Sequence, residues 1–450
     1  MSLSVLADKY CPSIFRPILN RVQQSPIGKR IVSGTFWSVI GNGFGKLFTF
    51  IAMVLVARIL GKEAFGEFGL IRSTAMTFVA FSSFGMGLTA TKYIAELLHK
   101  DKERTGRIIG LTYVFTFFIA LFVAILFYLI SPWLCETQLG KPELTNVLQW
   151  GAILLFLMTF MGTQIAVMTG FQDFRGLAIV TGIVGILSLP IYVGGAYWYG
   201  IFGALIAVML CTSLNIATNS LFIYKNVKKN KICYEFSKGY KELSVLWSSN
   251  LPIVICGILY AGMIWFVQMM LRMQPNGATE LGEFYAAQNI QIAIFFLPSL
   301  LSAVFFPNLC EVGGTSQNAR YWRVVKKGLG LQVVVSLILV LPMVLFPKFL
   351  MRLNGNEFAD NGLILVAFSI WGVLSVLCAV VWQVMVDQKK VWMVVLITIF
   401  ELVIVLFLSY YLIQNQLKTV GIVTALTTGR LISFTAIIFY LQLKFNIKEK

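Results

Sequence analysis

Charged side chains are scarce in this chain. Asp, Glu, Lys and Arg make up 12% of its 450 residues and apolar residues 58%, against soluble averages of roughly 25% and 45 to 50%. A water-soluble fold has no place to hide that much apolar surface, so the soluble classes are excluded. Histidine is nearly missing. With His99 alone, a His-based metal centre and a Ser-His-Asp machine are excluded by inventory, and neither catalytic residues nor a metal-ligand set is expected. The seven cysteines lack CxxC spacing and only Cys135 falls in a predicted outer loop, so no disulfide framework is expected either. Residues 1–32 carry Lys9, Arg16, Arg21, Lys29 and Arg30 without a central apolar stretch. The first span is therefore expected to act as its own insertion signal. Strict apolar-polar alternation is absent too, which argues against a membrane β-barrel.

What fills the chain is a series of apolar runs of about 20 residues, the length an α-helix needs to cross about 30 Å of hydrocarbon. They predict an all-α membrane protein of about twelve transmembrane helices. Spans 1 to 6 fall at residues 35–59, 65–88, 108–130, 148–169, 177–198 and 201–224; spans 7 to 12 fall at 248–271, 284–309, 329–345, 362–386, 391–413 and 420–443. Acids are the rarer sign, 19 against 36 Lys and Arg, and the resulting charge of +17 invites a nucleic-acid reading. The placement of the basic residues excludes it. About 26 fall on the side of the N-terminus, notably in 92–107, 225–241 and 320–327, about 7 on the opposite side, and Lys46, Arg72 and Arg430 within spans. This positive-inside bias predicts that both termini are cytoplasmic.

The longest stretch without an apolar run divides the spans six and six. The expected organisation is an N-terminal segment 1–32, a first lobe 33–224, a basic cytoplasmic linker 225–247, a second lobe 248–443 and a tail 444–450. A local echo supports the division: Gly66-Glu67-Phe68 after Arg58 is mirrored by Gly282-Glu283-Phe284 after Arg272, each between the first and second span of its half. Six is even, so both halves enter the membrane with the same orientation. The two six-helix lobes should be related by a pseudo-twofold along the membrane normal, with a cleft between them.

Ionisable residues deep in hydrocarbon cost at least about 2.5 to 3.5 kcal/mol, so each needs a partner or a watery cavity. Lys46, Glu401 and Arg430 qualify by depth. Lys46 lies about 13 residues, roughly 20 Å, from the outer end of its span, and with Ser38, Asn42 and Thr49 it forms a polar stripe. Either that stripe lines the cleft and Lys46 meets an anionic group of a substrate, or the lysine is paired inside the first lobe. The first-lobe spans offer no mid-membrane carboxylate to neutralise it. Glu401 and Arg430 lie at similar depth in adjacent antiparallel spans and could form a structural pair; alternatively Glu401 takes up a coupling proton or sodium ion. Arg72 and Arg272, nearer the outer ends, are explained by snorkelling unless they face the cleft mouth. Gln268, Asn289 and neighbouring amides could line the cleft or lock helix to helix. The Gly-rich run Gly41-Asn42-Gly43-Phe44-Gly45 lies inside a span and suits close packing, not a phosphate loop.

At spans 1 and 2 the chain reads Ala57-Arg58-Ile59-Leu60-Gly61, Phe65-Gly66-Glu67-Phe68-Gly69 and then Gly85-Met86-Gly87-Leu88 running to Lys92 and Glu96. This resembles the Wzx-like polysaccharide and O-antigen repeat-unit flippases of the multidrug/oligosaccharidyl-lipid/polysaccharide exporter superfamily. The resemblance implies two six-helix lobes in a V and a bacterial inner-membrane location. It also implies a transporter, not an enzyme, that moves undecaprenyl-diphosphate-linked oligosaccharide between leaflets by alternating access for surface polysaccharide biosynthesis. Polysaccharide assembly proteins are its candidate partners, and nucleic acid is not. A cationic central cavity for the diphosphate is implied as well, a role that Lys46 and Arg430 would suit. At the inner end of span 2 such proteins often carry Arg where this chain has Lys92, which offers charge without a bidentate fork. The expected substrate-binding set is Lys46, Asn42, Arg430, Arg72, Arg272, Gln268, Asn289 and Lys92, with Glu401 the candidate for ion coupling and no cofactor beyond that ion.

Two other readings remain. A polymerase or ligase acting on lipid-linked sugars needs a sizeable outer loop, and the longest here, 131–147 and 346–361, are only about 16 residues. A cation-coupled multidrug exporter of the same fold would be favoured by a first-lobe carboxylate at mid-depth, which the sequence lacks.

Overall fold

A helix of 58 residues would be about 87 Å long, nearly three times the hydrocarbon thickness, so it must fold back on itself to stay in the membrane. That is what the first element does. In the computed structural model α1 runs Pro26–Ser83 and reverses at Gly61, where φ 74 and ψ 175 are open to glycine and closed to a side chain. The structure describes residues 26–83, 86–98, 100–233, 251–312, 319–388 and 390–445. After α1 come α2 Met86–Leu97, α3 Lys102–Trp133, α4 Thr145–Gly170 and α5 Phe174–Asn230. The last of these reverses at Tyr199 and Gly200, the latter at φ 57. The second half comprises α6 Leu251–Arg272, α7 Gly277–Val312, α8 Ala319–Leu345, the short α9 Pro347–Arg352, α10 Gly362–Asp387, α11 Val391–Gln414 and α12 Lys418–Phe445.

Among the described residues nine helices are long and apolar enough to cross a membrane. Two of them, α1 and α5, are antiparallel pairs, and α7 completes the set of twelve spans in two six-helix lobes. Large apolar side chains such as Phe118, Leu129, Ile338 and Phe407 stand exposed on the outer faces of helices, the surface a bilayer would cover.

The spans were legible, though some helices begin earlier, Lys102 against 108 and Ala319 against 329. The reversal at Tyr199 and Gly200 falls between spans 5 and 6 as expected; other turns differ. No loop separates spans 1 and 2 beyond Gly61, and α7 starts at Gly277 where the apolar run predicted 284. Charged residues that read as loop are helical because each has a partner. Glu280 is held by Lys418 at 3.0 Å and Thr419 at 2.6 Å, and Glu283 by Lys62 at 2.6 Å. Likewise 131–147 is no loop: Cys135 is buried in a π-helical turn, Leu134–Leu139, followed by Gly140 at φ 61 and a 3-10 turn, Pro142–Leu144. On the other side α5 extends through 225–230 of the stretch read as linker, and 234–250 lie outside the described residues.

Burial reveals how the lobes meet. One core cluster takes in Phe65, Phe68 and Phe127 of the first lobe together with Leu281, Phe284, Phe358 and Phe368 of the second. The Phe65 and Phe358 rings meet edge to face across the seam at 6.3 Å. At the other, basic end the cores part. The first lobe closes around Ile94, Ile109, Met168 and Val227, and the second around Tyr321, Val384, Val394 and Leu441. The molecule is therefore a V, joined at the end that carries the Gly61 turn and divided at the end rich in Lys and Arg.

Candidate functional site

The joined end is built on the two Gly-Glu-Phe copies. A Cβ on Gly66 would overlap the Ala278 carbonyl oxygen, and one on Gly282 would overlap the Lys62 carbonyl oxygen. These contacts are mates under the twofold, so glycine at both positions lets the two helical turns touch backbone to backbone. One helical turn on, Gly69 leaves room for the Tyr285 ring in the same way. The two glutamates are also held alike. Lys141 reaches Glu67 at 2.5 Å from the turn between spans 3 and 4, and Asn361 donates to Glu283 at 2.6 Å from the turn between spans 9 and 10. Lys141 also meets Glu63 at 2.8 Å, and the two carboxylates hold its ammonium above its ordinary pKa.

One contact breaks the symmetry. Lys62 crosses the seam to Glu283 at 2.6 Å, with side chains only 16% and 4% exposed, whereas Ala278 occupies the corresponding position of the second lobe. Arg58 adds a second crossing, its Nε donating to the Leu353 carbonyl at 2.6 Å. Deeper still, the Ser73 hydroxyl donates to Gln268 at 2.5 Å and the Trp265 indole donates to Thr74 at 3.1 Å, both across the seam.

Beyond these seals lies the cleft. Arg72 is half-buried at its apex beside the phenols of Tyr192 and Tyr285. It makes no ion pair among the described residues, its only hydrogen bond being a weak one to the Met53 sulfur at 3.9 Å. Lys46 is exposed, with its ammonium 5.6 Å from the centre of the Phe296 ring on the opposite lobe, and it too makes no ion pair among the described residues. Its direction follows from its neighbour. A Cβ at Gly45 would overlap backbone of Thr181, and Gly185 packs on Gly45 from the same helix. Gly45 thus presses α1 into α5, and Lys46, one residue round the helix, is turned to the second lobe. Thr49 lies on the Gly45 face, 3.5 Å from Ser188, so the expected polar stripe is split between cleft and lobe interior. The side chains of Ser38 and Asn42 lie outside the described residues.

The other expected residues separate into distinct settings. Arg430 and Glu401 are brought together: Nε to Oε1 is 3.3 Å, and the Ser433 hydroxyl donates to Glu401 at 2.7 Å. The guanidinium lies 4.5 Å over the Tyr260 ring of α6. Glu401 is 2% exposed and Arg430 18%. Arg272 is half-buried at the joined end within electrostatic reach of Glu63. Gln268 is buried in the Ser73 contact, and Asn289 is half-buried with its amide nitrogen unpartnered among the described residues. Lys92 is exposed on α2 at the basic end, over its neighbour Tyr93 at 5.4 Å. Lower in the seam a mainly apolar cavity of about 300 Å³ is lined by Val79, Met158, Gly162, Ile253, Val254 and Gly257.

Sequence reading missed Lys62, Tyr260, Phe296 and Tyr285. For Lys62 a partial signal was present, since it lies four residues before the first Gly-Glu-Phe copy, a repeat whose two copies turn out to touch. No pattern in sequence pairs Phe296 with Lys46, because the two come from different lobes.

A family model described as polysaccharide biosynthesis protein matches residues 31–312. The chain is 23% identical over 269 residues to the EPS I polysaccharide export inner membrane protein EpsE of Ralstonia nicotianae, and 22% identical to its namesake in Ralstonia solanacearum. Each match covers 60% of this chain and spans only 61% of the relative's length. Among solved structures the fold matches the inward-facing form of a multidrug resistance MATE family transporter of the MOP superfamily. That match has a TM-score of 0.71 at 13% identity, covering 91% of this chain and 98% of that one. The lipid II flippase MurJ in an inward closed conformation gives 0.72 at 12% identity, covering 90% and 87%. An outward-facing MATE structure gives 0.67 at 17% identity, covering 94% and 96%. These likenesses establish a two-lobe MOP fold, and with the family match spanning more than half its length, the chain belongs to the polysaccharide biosynthesis protein family.

Proposed function

We propose that this protein is a flippase of the bacterial cytoplasmic membrane that carries a lipid-linked oligosaccharide from the inner to the outer leaflet by alternating access. The observation that carries this reading is the V itself. Its cleft is sealed at one end by backbone contact and walled by two cations, Lys46 and Arg72, that make no ion pair among the described residues. Unpaired cations at this depth are costly unless they meet an anion or water, and the diphosphate of a polyprenyl-linked sugar supplies about two negative charges that cannot cross hydrocarbon unaided. With the basic end in the cytoplasm, as the positive-inside rule places it, the conformation is inward-open and both termini are cytoplasmic. EpsE is named a polysaccharide export inner membrane protein and MurJ a lipid II flippase, and both names support the reading.

Glu401 sits against Arg430 and Ser433, and in this reading the guanidinium is a tethered counter-ion that leaves no vacancy for a coupling cation. Arg430 then acts in the second lobe and not on the substrate. The test of function is depletion of the protein followed by leaflet-resolved measurement of lipid-linked oligosaccharide. Build-up on the inner leaflet is expected; unpolymerised units accumulating on the outer leaflet would point instead to a defect in polymerisation.

A further inference from the structure

Among the described residues Lys62 has partners only across the seam. Its ammonium contacts Glu283 at 2.6 Å and lies 5.9 Å from the centre of the Phe358 ring, and both belong to the second lobe. Glu283 is differently placed, for Asn361 of its own lobe donates to it at 2.6 Å. The acids next to Lys62 in its own lobe, Glu63 and Glu67, already share Lys141. Separation of the lobes at this end therefore leaves Glu283 with a donor and Lys62 without an acceptor among the described residues. A nearly buried ammonium that loses its counter-ion attracts another anion. Helical rise sets it about ten residues, or roughly 15 Å, from Arg72 towards the same mouth.

We propose that Lys62 is an anion-binding residue of the outward-open state, a latch to Glu283 while the seal is closed and a receptor for the phosphate of the cargo once it opens. This rests on the reading of the cargo as a lipid-linked diphosphate sugar, because one oxyanion then takes the place of another at a single ammonium. It makes the seal responsive to its cargo: a phosphate arriving from Arg72 competes with Glu283 and favours opening. The residue lies outside the cleft wall formed by Lys46 and Arg72, and Ala278, at the corresponding position of the second lobe, cannot substitute for it.

The test uses the full-length protein in membranes with two readouts. Seal opening is followed by the distance between nitroxide labels on the exposed residues Tyr199 and Leu417, one from each lobe; export is followed as surface saccharide, normalised to protein in the membrane. Glu283→Gln and Lys62→Gln should lengthen the label distance alike, because each breaks the latch. Export should stay within about twofold of the unmodified protein for Glu283→Gln and fall at least fivefold for Lys62→Gln. The exchange of Lys62→Glu with Glu283→Lys should close the seal again without restoring export, and Lys62→Arg should preserve both. If Lys62→Gln exports as well as Glu283→Gln, or if the exchange restores export, Lys62 is a latch alone and the proposal is overturned; unchanged label distances in both Gln variants would overturn the latch itself. Failure of the flippase reading is separately visible, since depletion would then cause no build-up of lipid-linked sugar on the inner leaflet while the label distances still responded.

Discussion

Lys46 and Arg430 are both cations in the membrane interior, and their surroundings differ. Lys46 is exposed, crosses to a ring of the other lobe and has no carboxylate among the described residues. Arg430 is held by Glu401, Ser433 and Tyr260. Replacement of Lys46 by Ala should therefore cut export about ten- to a hundredfold, the range expected when a charge-assisted contact worth about 1.5 to 3 kcal/mol is lost, with the amount of folded protein in the membrane unchanged. Export at the normal level in that variant would remove Lys46 from the cargo path. Glu401→Gln should do the reverse. Removing one partner of a buried pair costs about 3 to 5 kcal/mol, so thermal unfolding in detergent should shift to lower temperature, while the response of export to ionophores stays as before. A changed ionophore response at unaltered stability would instead assign Glu401 to ion coupling. Depth along a span was enough to single out these three residues from sequence. Which faced the cleft was not, because that depends on Gly45 pressing one face of α1 into α5, a contact between distant parts of the chain.

Among the elements, the reversal of α1 and the helical start of α7 place charged residues inside helices where hydropathy alone predicts loops. Apolar runs are local and were read correctly; ion pairs such as Lys62 with Glu283 join positions far apart in sequence and cannot be read from a run. The same distinction applies to the Gly-Glu-Phe copies, which were legible as a repeat but not as a contact. Because Gly66 and Gly282 are mates under the twofold, Gly66→Ala and Gly282→Ala should produce the same defect. Each sets a methyl against a backbone carbonyl of the opposite lobe, which cannot retreat as a flexible side chain could. Both variants should raise the reactivity of cysteines introduced in the cleft towards a membrane-impermeant reagent added outside. If only one did so, the contact would not be the symmetric seal described.

For the molecule as a whole, composition gave the class, span counting gave the lobes, and the asymmetry of basic residues gave the expected orientation. What the sequence withheld was the state of the cleft, since a V joined at one end and a V joined at the other have the same spans and the same linker. Only the partition of the buried cores, shared at the Gly61 end and separate at the basic end, distinguishes them.

The unmatched lysine has one more implication. Two copies of the first half, paired about the same axis, would set a lysine against a glutamate twice over and bolt the mouth shut. Two copies of the second half would offer alanine on both sides and nothing to fasten. Because the halves differ at this position, the chain holds a single bolt where a symmetric pair would hold two or none.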